Sequence, residues 1–279
     1  MSEPAPSPLP SPVAVIGCGW LGAPLASALL DRGAEVRGSA TSAEKVERLR
    51  AQGIGAELLR LNPQTPADDP ALTRLLDGAA ALVLTVPPPR GAARETYPAL
   101  LAPVLRAADR AQVPRLLFTS STGVYPDEPR EMTEEGAQAA PDAPSVLLRA
   151  EALAQTSVVR PVVLRLAGLY GPGRPAGRFL AGRKDVPGGG APVNLLHLED
   201  AVGAVLTLLQ GDQAGTFNVC AAAHPLRRDF YPAAARALGL EAPTFAPDEA
   251  SGKTVSSARL RRETSFRFRH DDLGGEGGR

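Results

Sequence analysis

The ten residues VAVIGCGWLG, Val13 to Gly22, constrain this chain more than any other stretch. An unbroken apolar run, as in a strand buried on both faces, ends in Gly17-x-Gly19-x-x-Gly22. LGAPLASALLDRG follows at helical spacing, with Gly33 as its stop signal. AEVRGSA then reads as a second strand within about thirty residues, the context in which such a loop can hold a dinucleotide. Gly17 permits the tight turn, Gly19 lets the backbone approach a pyrophosphate, and Gly22 lets helix and strand pack closely. The helix N-terminus then faces the phosphates. Trp20 and Leu21, between the glycines, are counted with the cofactor loop. The competing reading is a plain structural turn.

The alternation continues. SAEKVERLRAQG reads as a helix with Ser42 as N-cap, AELLRL as a third strand and ALVLTV as a fourth, which PPPRG ends. ETYPALLAPVLRAADRA is a helix blemished by Pro98 and Pro103, and PRLLFTSS a fifth strand. A looser stretch runs from Thr122 to Pro144. SVLLRAEALA, EDAVGAVLTLLQ and RRDFYPAAARALG read as helices, and PVVLRLAGLYGPG, PVNLLHL and GTFNVCA as strand-containing segments. The implied fold is α/β, a doubly wound parallel sheet of Rossmann type with a small C-terminal substrate lobe. The expected layout is a disordered Pro-rich arm over 1–12, a nucleotide-binding domain over 13–170, a lobe mainly over 171–273 with segments returning to the first domain, and a tail over 274–279.

Thirty basic and thirty acidic residues leave no net charge, so the surplus that non-specific nucleic-acid binding needs is missing. No apolar stretch approaches the ~20 residues of a membrane span. The Pro-rich start lacks the basic and apolar regions of a secretory signal, and the expected compartment is the cytoplasm. Cys18 and Cys220 read as small buried residues rather than a disulfide or redox pair. His197, His224 and His270 have no Cys or carboxylate at metal-ligand spacing, so no metal is expected.

Dinucleotide sites that take NAD usually carry an acid at the end of the second strand, holding the ribose 2′-hydroxyl. Here RGSATSAEK offers no acid between Gly38 and Ala43. Ser39, Thr41, Ser42, Arg37 and Lys45 are donors instead, which suits a 2′-phosphate. NADP is favoured, with NAD the alternative; Ser39 to Ser42 can equally form a turn and a helix cap.

FTSSTGVYP (Phe118–Pro126) resembles the SSxxVYG segment of the extended short-chain dehydrogenase/reductase family. RLAGLYGPGR (Arg165–Arg174) is similar to that family's RxxNVYGPG loop, NLLHLEDAVGAVLTLL to its fvHvdDvaxa segment, and GTFNVCA to its xxyNvg strand. With the glycine loop the resemblance covers about Val13 to Phe268, and is strongest to a bacterial branch of NAD-dependent epimerase/dehydratase-like chains. It implies that Gly17, Gly19 and Gly22 bind the pyrophosphate, that Thr85, Val86 and Pro87 line the adenosine side, and that Leu166, Ala167 and Gly168 border the nicotinamide. Ser121 falls on the family's catalytic Ser/Thr. His197 and Asp200 fall on positions expected to support the fold.

The family's catalytic Tyr-x-x-x-Lys should stand at the start of the helix after the fifth strand. Ala143 and Leu147 align there, and no Lys occurs between Lys45 and Lys184. The usual Tyr works as acid and base because a neighbouring Lys and the cofactor lower its pKa. Tyr125 and Glu151 are the remaining surrogates. Arg174 and Arg178, with Arg183 and Lys184, follow the GPG loop and suit a phosphate or carboxylate; a solvated loop is the alternative. Two functions follow. One is an oxidoreductase or epimerase with a non-standard acid/base, acting on an anionic carbonyl compound or sugar nucleotide. The other is a catalytically silent NADP(H)-binding sensor or scaffold. A small-molecule substrate is the expected partner, nucleic acid and membrane are not, and a homodimer stays open.

Overall fold

A computed structural model describes residues 8–157, 161–247 and 252–273. The tail expected over 274–279 and the first seven residues of the Pro-rich arm lie outside the described residues. The arm's last two residues are tied down: Glu35 N–H donates to Ser11 Oγ at 2.9 Å, and Ala80 N–H to the Pro12 carbonyl at 2.8 Å.

From β1 (Val13–Ile16) the chain passes through α1 (Gly22–Leu30), β2 (Val36–Ala40), α2 (Ala43–Ala51) and β3 (Gly55–Leu58). It continues as α3 (Pro70–Leu76), β4 (Ala81–Leu84), α4 (Tyr97–Arg110) and β5 (Leu116–Ser121). Then come β6 (Glu131–Met132), α5 (Val146–Gln155), β7 (Pro161–Leu166), β8 (Gly168–Tyr170), β9 (Leu195–His197) and α6 (Leu198–Gln210). The last elements are β10 (Gly215–Val219), α7 (Arg227–Ala237), β11 (Thr254–Val255) and α8 (Ala258–Glu263). No described helix is long and apolar enough to cross a membrane.

Seven strands form one sheet in the order β10-β7-β5-β4-β1-β2-β3. β1 pairs in parallel with β2 on one side and β4 on the other, Val13 facing both Val36 and Ala81. The chain therefore winds outward from β1 through β2 and β3, then restarts at β4 and winds the other way. Sheets of this kind bind ligands outside the carboxyl ends of the strands that flank such a reversal, here β1 and β4. β1 and β4 are buried at every residue, as strands covered by helices on both faces must be.

Local chemistry explains the element ends. Gly33, at φ +81°, closes α1: its N–H reaches the Leu30 carbonyl, and Ala34 N–H the Leu29 carbonyl. α3 has no counterpart in the sequence reading, although its signal is present. Asp69 caps it by accepting from Ala71 and Leu72 N–H at 2.9 and 3.2 Å, and Pro70 occupies the first turn.

Two compact units are interleaved along the chain. The first takes the residues up to Ser121, Ala137–Leu164 and Ala204–Thr216. The second takes Thr122–Gly136, Arg165–Gly203 and Phe217 onward. The second has its own core, with Tyr170, Leu195, Phe230 and Leu273 buried together. It also contains the short parallel pairs β6–β11 and β8–β9.

Candidate cofactor site

The glycine loop joins β1 to α1 at the reversal of strand order, and its three glycines have different reasons to be glycine. Gly17 has φ +104°, and a Cβ there would lie 3.0 Å from the Thr85 and Val86 backbone. At Gly22 a Cβ would lie 2.3 Å from the Gly17 carbonyl oxygen and 2.8 Å from Thr85 Oγ1, so α1 and β4 could not approach as they do. Gly19 is exposed, has no left-handed φ, and a Cβ there would meet nothing nearer than 3.9 Å. The protein's own packing does not require that glycine. A ligand lying across the loop would, because a Cβ would fill the space it occupies.

The residues around the loop brace it. Thr85 Oγ1 donates to the Gly17 carbonyl at 2.7 Å, and Thr85 N–H to the Ile16 carbonyl at 2.9 Å. Tyr97, buried at the start of α4, donates its hydroxyl to the Val86 carbonyl at 2.6 Å. Burial raises its pKa, so it remains a donor. Pro87 is exposed beside them. Leu21, the N-cap of α1, is buried and provides no side-chain cap, and Trp20 is partly exposed. A helix start without a side-chain cap, next to an open glycine at the switch point, fits a pyrophosphate well. Tyr97 is a positioning residue that sequence reasoning missed; its partner lies eleven positions away, with no motif to announce it.

The donors expected after β2 disperse. Ser39 is buried, and its Oγ accepts the Gly17 N–H at 3.0 Å, so it holds the loop. Arg37 turns to Glu35 Oε1 at 3.0 Å and to the Asp77 carbonyl at 2.5 Å. Thr41 and Lys45 are exposed, and Ser42 makes no side-chain bond to the α2 N-terminus. Cys18 is buried under the loop, its Sγ 2.7 Å from where a Gly38 Cβ would be, and burial pushes its pKa up to about 11. Cys220 is likewise buried, its pKa pushed up to about 12.

Ser121 ends β5, partly exposed, in the first unit. In the same unit Ala143 and Leu147 are both buried, and neither titrates. The surrogates are engaged elsewhere. Glu151 is fully buried on α5 and accepts the Ser120 hydroxyl at 2.5 Å, tying that helix to β5. Tyr125, in the second unit, donates to Asn218 Oδ1 at 2.7 Å and accepts from Arg165 Nη1 at 2.8 Å. Burial raises the Tyr125 pKa. Neither is an open acid or base.

Leu166, Ala167 and Gly168 lie in the second unit. Ala167 N–H donates to the Val219 carbonyl at 3.0 Å and Gly168 N–H to the Asn194 carbonyl at 3.1 Å. Arg174 and Arg178 are exposed in that unit, Arg174 with its guanidinium 5.6 Å from the Phe179 ring centroid. Lys184 pairs with Glu241 at 2.5 Å. Asp200 is buried and accepts the N–H groups of Arg269 and His270 at 2.7 and 3.0 Å, the fold support expected of it. His197, Glu199 and His270 bring their ligand atoms within 4.8 Å, a proximity that linear spacing conceals. His270 Nε2 lies 3.0 Å from Glu199 Oε2, and His197 Nδ1 accepts the Glu199 N–H at 3.3 Å, so this cluster is already hydrogen-bonded within itself.

A family model described as NAD(P)H-binding matches residues 17–207. Protein YeeZ of Escherichia coli K12 is 43% identical over 272 residues, covering 93% of this chain and 96% of that protein. A functionally unknown conserved protein from Silicibacter pomeroyi shares the fold with a TM-score of 0.76 at 22% identity, over 95% of this chain and 96% of its own. UDP-glucuronic acid 4-epimerase from Bacillus cereus, solved in complex with NAD, does so with a TM-score of 0.71 at 16% identity, over 91% and 92%.

Proposed function

The chain belongs to the NAD(P)H-binding family, in its extended short-chain dehydrogenase/reductase, epimerase/dehydratase-like group, and from that premise we propose that it binds NADP(H) on the Gly17–Gly22 loop and acts as an oxidoreductase or epimerase on a small anionic carbonyl compound or sugar nucleotide. The observation that carries this reading is Gly19, a glycine the fold itself does not need. The loop and the first turn of α1 would hold the pyrophosphate, with Trp20 and Leu21 alongside. Thr85, Val86 and Pro87 would border the adenosine, and Leu166, Ala167 and Gly168 the nicotinamide. When bound, the cofactor supplies or accepts a hydride.

Support for an anionic substrate comes from Arg174 and Arg178, whose guanidinium forks match carboxylate and phosphate. The Bacillus cereus protein of like fold is named for a sugar nucleotide carrying a carboxylate. Ser121 would orient a substrate carbonyl by hydrogen bonding. Its hydroxyl is a poor proton donor at neutral pH, so the proton would come from water or from the substrate. Losing a matched general acid costs about 10²–10⁴-fold in rate, and slow turnover is the consequence.

The buried Ala143 and Leu147, with the engaged Tyr125 and Glu151, favour a second reading: a silent NADP(H)-binding sensor or scaffold. NADPH oxidation against a panel of aldehydes, ketones and keto-sugars separates the two. Slow turnover that falls further in Ser121→Ala supports the enzyme. Tight NADPH binding with no turnover supports the silent protein. Fast turnover indifferent to Ser121→Ala refutes the role given to Ser121.

A further inference from the structure

We propose that Arg60, which follows β3, is the residue that selects a 2′-phosphate on the adenosine ribose, and hence NADP(H) over NAD(H). The inference rests on the reading that the dinucleotide lies on the Gly17–Gly22 loop. β2 ends at Ala40, next to that loop, and the chain turns through Thr41 and Ser42 into α2. Leu59 N–H donates to the Ala40 carbonyl at 2.9 Å, so the segment after β3 runs beside the turn. Arg60 then donates its Nε to the Thr41 carbonyl at 2.8 Å.

That single bond fixes the guanidinium and uses only one of its donors. Among the described residues its two Nη groups meet no acceptor, and the side chain is exposed. The exposed Thr41, the uncapped Ser42 and the exposed Lys45 belong to the same turn and the first turn of α2. The acid nearest the turn in sequence, Glu44, pairs along its helix with Arg48 at 2.6 Å, and the one nearest Arg60, Glu57, pairs with Arg74 at 2.8 Å. A planar fork held by its Nε suits the oxygens of a phosphomonoester. A ribose 2′-hydroxyl asks instead for a carboxylate acceptor, and neither Ala40 nor Thr41 provides one. Arg37, the arginine within β2, is drawn away to Glu35 and Asp77, so it is not the fork in question.

A role limited to pinning the turn through Thr41 would affect both dinucleotides alike; a role in phosphate recognition affects only one. The test is the dissociation constant of NADPH and of NADH, measured by calorimetry on the full chain, on Arg60→Gln and on Arg60→Lys. Arg60→Gln is expected to weaken NADPH about 10- to 100-fold, the loss for one charge-assisted hydrogen-bonding group. NADH should stay within about twofold, as for an ordinary surface substitution. Arg60→Lys keeps the charge without the fork and should fall between. Unchanged NADPH affinity in Arg60→Gln, or equal loss of both dinucleotides, overturns the proposal. A parent chain that binds neither dinucleotide refutes the underlying site reading, a result distinct from either of those.

Discussion

Gly19 and Gly22 stand three residues apart in one motif, yet alanine at the two positions should do opposite things. At Gly22 the new Cβ would sit 2.3 Å from the Gly17 carbonyl oxygen and 2.8 Å from Thr85 Oγ1. Both atoms belong to the braced junction of β1, β4 and α1, so neither can retreat cheaply. Overpacking of this kind costs about 1–3 kcal/mol, or about 2–12 °C of melting temperature at roughly 2–4 °C per kcal/mol. At Gly19 the nearest atom is 3.9 Å away and the backbone is not left-handed. Alanine there should leave the ligand-free protein as stable as the parent, or more stable by about 0.4–1 kcal/mol through the unfolded chain. Binding should respond the other way. The Gly19 Cβ would hold a pyrophosphate off the loop, and losing two charge-assisted bonds at about 1.5–3 kcal/mol each weakens NADPH about 10²–10⁴-fold. Thermal melting of both variants without ligand, then calorimetric titration with NADPH, measures both. Equal destabilisation by the two variants, or parent-like NADPH affinity in Gly19→Ala, would refute the reasoning.

Three further outcomes follow from the structure. Burial raises the pKa of Glu134, so the folded state binds its proton more tightly than the unfolded state does. That contribution to stability is complete below the unfolded pKa and is lost as pH rises through the folded one. Glu134→Gln keeps an acceptor for the Asn218 N–H (2.7 Å in the parent), so it should raise the melting temperature at pH 7, with the gain vanishing in acid; a gain that grows in acid contradicts this. Asp200→Asn should release the segment after α8, because an amide cannot accept from both the Arg269 and His270 N–H groups with two oxygens; faster hydrogen exchange at those two amides is the readout. Cys18 and Cys220, with thiol pKa values near 11 and 12, should resist alkylation of the native protein at pH 8, and rapid labelling of either would show its burial to be wrong.

Much of the first unit was legible in the sequence because its signals are local. The apolar run, the glycine spacing and the Gly33 stop signal specify β1, the loop and α1 within a few residues. The fates of the donors after β2 were not legible. Buried residues lie on both faces of β2, so no alternation shows which way Ser39 points, and its partner is Gly17, twenty-two positions away. Arg60 meets Thr41 only because β3 lies next to β2, a pairing that register decides and neighbouring residues do not. Tyr125 looked available as an acid because Asn218 and Arg165, which engage it, are 93 and 40 positions distant. Segments passing between the two units were expected, but not where they cross: no breaker residue marks the passage from Leu164 to Arg165 within β7.

The central claim is that a dinucleotide lies across the Gly17–Gly22 loop at the junction of β1 and β4. Hydrogen exchange of the full chain with and without saturating NADPH tests it most directly. The account predicts slowed exchange at the backbone amides of residues 17–23 and of Thr85 and Val86, with the amides of residues 41–45 slowed by NADPH more than by NADH. Saturable NADPH binding that leaves the amides of residues 17–23 unchanged would contradict it.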